Sequence, residues 1–171
     1  GYISEDRGGE GLQVNQAIDF NISLAALKHI RRGVFLDLKK EKAVNQKLIE
    51  KLQVKCESMK QKVTNLSGGN QQKVFLARWL NTDAEILLLD NPTQGIDVGA
   101  KAEIYKLILE LAKQGKTILI NTLEIPEIQK VADYCAVFYN GEIIKVLEHQ
   151  EIDEMTVMMY STNAAQAEEG K

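Results

Sequence analysis

The chain has 171 residues, 44% of them hydrophobic, and its 24 acidic and 21 basic side chains leave a formal net charge of -3. That length and apolar fraction can bury a sizeable core, which excludes disorder of the whole, and the interspersed charge offers no basic field for nucleic acid.

Tyr2 and Ile3, at the start, read as the stub of a strand whose predecessors lie upstream. Over 12–63 the pattern is helical, with Ile18, Ile22, Ala25 or Ala26 and Ile30 on one stripe and Val44, Leu48 and Leu52 on another, and no strong strand signal interrupts it. Lysines between Lys39 and Lys51 alternate with Glu41 and Glu50 and read as a solvated helix face. After Thr64 helix and strand alternate, which implies a parallel sheet. A helix over 68–79 carries apolar Phe75, Leu76, Trp79 and Leu80, and 86–89 predicts a strand buried on both faces. Val98, Ala102, Tyr105, Leu109 and Ala112 mark the next helix, Gly115 is placed as its C-terminal cap, and 117–120 predicts a second buried strand. Segments 134–139 and 142–147 flank Asn140-Gly141, two residues that tolerate positive φ, and predict a hairpin at the sheet's edge. A short helix follows from about Ile152, with Met155, Met158 and Met159 as packing residues, and the tail over 161–171 has little to bury and is expected to be disordered.

Ser67-Gly68-Gly69 stands at the entrance to the 68–79 helix. Side-chain-free glycines let backbone N–H groups approach an anion, the helix N-terminus adds partial positive charge, and the Ser67 hydroxyl can donate once more. The same three residues also read as an ordinary serine N-cap with a glycine-rich turn. Asp90 ends the 86–89 run, where an acid can hold Mg²⁺ through water opposite bound phosphates; a plain strand-ending turn, favoured by Pro92, is the alternative. Its neighbour is Asn91, where hydrolysis calls for a second acid. Asp97 suits the N-cap of the helix that begins at Val98.

Gln114-Gly115-Lys116-Thr117 resembles the end of a phosphate loop, but the first glycine of that motif would fall at Glu110, and here a helix leads into a strand rather than the reverse. No other such ending occurs, so the chain has no phosphate-cradling loop of its own. Cys56 and Cys135 lie far apart with no metal-ligand spacing, which fits a reducing cytoplasm, and His29 and His149 have no triad-like partner. No apolar run approaches the roughly 20 residues that span a bilayer, and no charged-then-apolar leader opens the chain, so membrane association is expected through a partner.

Taken together, LSGGNQQK, ILLLD, PTQGIDVGAK and the YNGEI hairpin resemble the ATP-binding subunits of ABC transporters, and in particular the second, C-terminal nucleotide-binding half of the tandem ATPases that energise ribose, galactose or xylose importers. The opening GYISEDR is similar to that family's GYxPEDR segment. The resemblance implies an α/β fold, part of a P-loop NTPase domain, divided into a permease-sensing segment over 1–11, a helical subdomain over 12–63, the C-terminal α/β core over 64–160 and the tail over 161–171. It implies that Ser67, Gly68, Gly69, Asn70 and Gln71 form a signature that touches, in trans, the γ-phosphate of ATP held by the opposite nucleotide-binding domain. By the same resemblance Asp90 holds Mg²⁺, Gly95 and Asp97 belong to a loop that crosses the dimer interface, and Glu5 stands where a glutamine senses the metal and contacts the permease.

Three departures qualify the match. Asn91 replaces the glutamate that polarises the attacking water, and an amide accepts no proton, so general-base help of roughly 10²- to 10⁴-fold is expected to be lost. Asn121-Thr122-Leu123-Glu124 stands where the family's switch histidine is expected, and Arg7 is followed by Gly8-Gly9 where basic residues are common. The site is therefore expected to be degenerate. With neither phosphate loop nor adenine-stacking aromatic, the chain is expected to bind ATP weakly or not at all and to be inactive alone. The implied partners are the N-terminal half of the same ATPase, the permease subunits and, indirectly, a periplasmic or lipoprotein sugar-binding protein; the implied location is the cytoplasmic face of the membrane. Self-association through exposed sheet edges is a further expectation. The alternative is a free-standing, non-catalytic module that docks on a permease or a paired ATPase to regulate it. A chromosome-maintenance ATPase is disfavoured because no long coiled-coil heptads flank the signature.

Overall fold

A computed structural model describes residues 1–162 and divides into two compact units, Gly1–Asn121 and one that begins at Thr122. The first unit runs β1 (Tyr2–Ile3), α1 (Ile18–Ser23), β2 (Arg31–Arg32), β3 (Phe35–Leu36), α2 (Leu38–Lys51), α3 (Gly68–Leu80), β4 (Ile86–Asp90), α4 (Val98–Lys113) and β5 (Thr117–Asn121). Its sheet has the order β1-β4-β5, with both pairings parallel, so the carboxyl ends of all three strands gather on one side. Parallel pairing is what helix–strand alternation requires, because each connection must cross back over the sheet.

The sheet is buried on one face only, which corrects the expectation for both strands. Leu87 and Leu89 are 0% and 2% exposed, whereas Ile86 and Leu88 are 53% and 42% exposed. In β5 no residue is fully buried. Successive side chains of a strand point to opposite faces, and among the described residues of this unit the helices pack on one of them. A continuous apolar run alone does not tell a covered face from an open one.

The helical block also differs from its reading. Ile18, Ile22, Ala26 and Ile30 are buried as the stripe predicts, and so are Leu48 and Leu52. Regular α1 stops at Ser23, however, and an antiparallel hairpin of β2 and β3 interrupts the block, pairing Arg31 with Leu36 and Arg32 with Phe35. Its two-residue turn places Gly33 at φ +64, which glycine adopts without Cβ strain. Strands of two residues carry no alternation, so nothing in the pattern announces them.

In α4 the buried stripe is Ile104, Tyr105, Leu107, Ile108 and Leu111, while Val98, Ala102, Leu109 and Ala112 are exposed. Of the predicted stripe only Tyr105 faces the core, because aliphatic residues one position away hold a tighter i, i+3, i+4, i+7 spacing. The helix ends as expected: Gly115 at φ +88 donates to the Ala112 carbonyl and Lys116 to that of Leu111, the paired bonds of a Schellman cap. Gln114-Gly115-Lys116-Thr117 is thus a helix end leading into β5.

The second unit contains α5 (Ile125–Ile128), β6 (Tyr134–Tyr139), β7 (Glu142–Glu148) and α6 (Glu154–Ser161). The β6–β7 hairpin turns at Asn140 (φ 48) and Gly141 (φ 85) and forms its own two-stranded sheet. Val137, Leu147, Ile152 and Val157 make its core. Met155 and Met158 are exposed, which corrects their reading as packing residues; Val157 is the side chain that anchors α6. Ser161 still closes that helix, and the expectation of a disordered tail otherwise lies outside the described residues. No helix among the described residues is long and apolar enough to cross a membrane.

Candidate functional site

Parallel pairing brings three chain segments together at the carboxyl ends of the strands. Glu5 lies two residues past β1, Asp90 ends β4, and Asn121 ends β5 in register with Asp90. Asp90 Oδ1 accepts from Asn121 Nδ2 at 2.8 Å, and its Oδ2 accepts from the Tyr2 hydroxyl at 3.3 Å. The Asn91 side-chain amide donates to Glu5 Oε2 at 2.7 Å. Asn91 has φ +41, a conformation that asparagine tolerates better than glutamate, and its backbone N–H is fixed by the Asn121 carbonyl at 2.8 Å. Carboxylates that each receive a neutral donor keep lone pairs for a further partner.

Beside this floor lies a second junction. Arg7, half-buried, donates from Nη1 to the Gln94 carbonyl at 2.8 Å, and burial pushes its guanidinium below the ordinary value. A Cβ on Gly68 would stand 3.1 Å from the Gly95 carbonyl oxygen and 3.6 Å from Arg7 Nη2. Gly95 has φ +66. A Cβ on Gly69 would lie 2.7 Å from that of Ala100 in α4, so the start of α3 sits against the start of α4 with no space for a side chain. One open groove of about 550 Å³ runs past both junctions, lined by Tyr2, Glu5, Arg7, Asp90, Gln94 and Gly95 among others.

The α3 entrance leaves Ser67 exposed. Its side chain does not cap its own helix; the hydroxyl accepts from Asn70 Nδ2 at 3.0 Å, and Asn70 Oδ1 in turn accepts from the Lys55 N–H at 2.8 Å. Gln71 instead turns inward and donates to the carbonyls of Val63 and Leu66 at 3.3 and 3.2 Å. Asp97 caps α4, with Oδ1 accepting from the Ala100 N–H at 3.0 Å.

The residues singled out from the sequence therefore fall into three places: Glu5, Asp90 and Asn91 at the strand ends, Gly68 and Gly95 in close approach, and Ser67 with Asn70 on the exposed helix entrance. Gln71 and Asp97 have structural partners of their own. Sequence reasoning gave Tyr2 no place in the site, set Asn121 only in the segment where a switch histidine is expected, and named Arg7 only for the glycines that follow it. The register of β4 against β5 is the signal for Asn121; nothing local marks Tyr2.

Among the described residues no group of three or more His, Cys, Asp and Glu side chains is arranged to hold a metal. The donors present are oxygens, Asp90 foremost. They fit a hard cation that keeps most of its waters, as Mg²⁺ does, rather than a cage.

The ABC transporter family model matches residues 5–94. The ribose import ATP-binding protein RbsA of Halalkalibacterium halodurans is 43% identical over 162 residues, 95% of this chain and 32% of that protein. The protein of the same name from Hahella chejuensis is 43% identical over 98% of this chain and 34% of its own length. The chain thus spans about a third of the length of these curated relatives. Among solved structures, an inward-facing metal-chelate type ABC transporter aligns with TM-score 0.79 at 19% identity, over 95% of this chain and 63% of that one. A dimeric ATP-binding cassette bound to ADP and Pi aligns with TM-score 0.70 at 23% identity, over 87% and 62%.

Proposed function

This chain belongs to the ABC transporter family, and on that footing we propose that it is the C-terminal part of the second nucleotide-binding domain of a monosaccharide importer's ATP-binding subunit. Its partners in that assembly are the N-terminal nucleotide-binding half, the permease subunits and, through them, a sugar-binding protein, at the cytoplasmic face of the membrane. Ser67, Gly68, Gly69 and Asn70 present the helix entrance to the γ-phosphate of an ATP cradled by the opposite half, and Gln71 holds that entrance to the chain's own backbone. Gly95 and Asp97 lie at the interface between the halves. Asp90 holds Mg²⁺ through water, and the ion, when bound, screens phosphate charge. Asn91, which donates to Glu5, cannot take a proton from water, so this half contributes closure rather than proton transfer.

The observation that carries the reading is the state of Ser67. Its side chain is exposed and caps no backbone N–H of its own helix, accepting only from the Asn70 side chain, beside a glycine pressed against the Gly95 carbonyl. A serine that served only as an N-cap would accept from a backbone N–H of its own first turn.

Calorimetric titration of Mg-ATP into the chain alone and into its mixture with an intact N-terminal half tests the proposal. Binding is expected only in the mixture, and Ser67→Ala is expected to weaken it. Equal affinity in the two titrations removes the basis for action in trans.

A further inference from the structure

The β2–β3 hairpin carries a feature that the nucleotide site does not use. Val34 is 93% exposed, Phe35 77% and, just beyond the ribbon, Leu38 68%; Leu36 is exposed as well. Four large apolar side chains within five residues contribute little to the core of their own unit. Exposed apolar clusters of this kind mark contact surfaces more often than they are accidental.

Register decides what surrounds them. Directly opposed residues of an antiparallel pair share one face, so Arg31 lies beside Leu36 on one side of the ribbon and Arg32 beside Phe35 on the other. Both arginines are exposed. Exposed Lys28, Lys39, Lys40 and Lys42 flank the hairpin in sequence, against two acids, Asp37 and Glu41. The Asp37 carboxylate is already engaged with the Lys39 and Lys40 N–H groups as the cap of α2. The local charge is therefore positive although the chain as a whole carries -3.

We propose that this hairpin tip is a contact site for an anionic membrane surface, with Val34, Phe35 and Leu38 entering the headgroup boundary and Arg31 and Arg32 pairing with lipid phosphates. The shape favours lipid over a protein groove: Val34 stands on the two-residue turn, Phe35 and Leu36 on the strand that leaves it and Leu38 just beyond, all exposed rather than gathered in a concavity. The guanidiniums of Arg32 and Arg31, across from Phe35 and Leu36, can stay at phosphate level while the apolar side chains are buried.

The test is co-sedimentation of the chain with vesicles of phosphatidylcholine alone and with vesicles containing roughly a third phosphatidylglycerol, a content that gives an anionic surface. Binding is expected to the anionic vesicles only and to fall steeply with added salt. Arg31→Ala with Arg32→Ala, and separately Val34→Ser with Phe35→Ser, are each expected to weaken it by about tenfold or more. All four positions are exposed, so unchanged circular dichroism and melting establish that the variants fold. In a Phe35→Trp variant the introduced indole is expected to shift to shorter emission wavelength on anionic vesicles. Equal binding to both vesicle types overturns the proposal. So does loss with the arginine variant alone, which marks surface charge without insertion. No binding to either vesicle overturns it too and leaves the tip to a protein partner.

Discussion

At the scale of single residues, the site is shaped as much by what is small as by what is charged. Gly69 faces Ala100 so closely that Gly69→Ala requires the starts of α3 and α4 to move apart. A cost of about 1–3 kcal/mol is expected from such overpacking, read as a lower urea midpoint at unchanged slope. Gly8→Ala is the control, since nothing lies within 4 Å of that Cβ, and it is expected to leave the midpoint nearly unmoved. Asn91 poses the opposite question. On the proposed function, Asn91→Glu in the full-length protein would supply a proton acceptor, and where ATP is bound at this site its single-turnover cleavage is expected to rise by roughly 10²- to 10⁴-fold. An unchanged rate with ATP shown to be bound there means that the acid is not limiting. The same substitution places glutamate at φ +41, so a loss of about 1 kcal/mol in stability is expected alongside. The donor–acceptor pair of Asn91 and Glu5 could not be read from the chain, because the residues stand 86 positions apart and meet only when β1 and β4 pair.

At the scale of elements, polar contacts through buried side chains decide how α3 sits. Arg78 donates to the Asn21 carbonyl at 2.9 Å, to Asn21 Oδ1 at 2.7 Å and to the Gly11 carbonyl at 2.6 Å, tying the helix to α1 and to the turn after β1. One ammonium could not span those three acceptors with the same geometry, so lysine is no substitute there. On the other side, buried Lys73 donates from Nζ to Glu103 Oε2 of α4 at 2.8 Å. That hydrogen bond and the lysine's charge hold the Glu103 carboxyl below its ordinary value of 4.5. A lowered carboxyl value means that the pair's stabilisation is complete above the ordinary value and is lost as the pH falls through the lowered one. Glu103 is about half exposed, so solvent screens the effect. Urea titrations from neutral to acid pH are expected to show a smaller acid-side loss for Glu103→Gln than for the wild-type chain. Parallel profiles would mean that Lys73 draws its stability from the Gln53 carbonyl instead.

At the scale of the whole molecule, the open face of the sheet is the dominant surface feature of the first unit. Tyr2, Leu88 and Leu119 lie in register across its three strands, all exposed, and Ile86 extends the patch. Such a face invites association, and sedimentation is expected to report assemblies that grow with concentration. Leu88→Lys with Leu119→Lys is expected to return a monomer without lowering the melting temperature, because neither side chain belongs to the core. A concentration-independent monomer for the unaltered chain would show that this face stays solvated.

The sequence by itself determined the α/β class, the parallel order of its strands, the Gly115 cap, the Asn140-Gly141 turn and the identity of the residues at the strand ends. Each rests on short-range chemistry: a periodicity, a glycine at positive φ or a polar residue closing an apolar run. Tertiary structure alone decided which face of the sheet is covered, that a hairpin breaks the helical block, and which stripe of α4 turns inward. It also decided that Asp90 meets Tyr2 and Asn121 while Asn91 meets Glu5. Those outcomes depend on register and packing between distant segments, and a residue's partner across a sheet is set by the pairing of strands rather than by its neighbours in the chain.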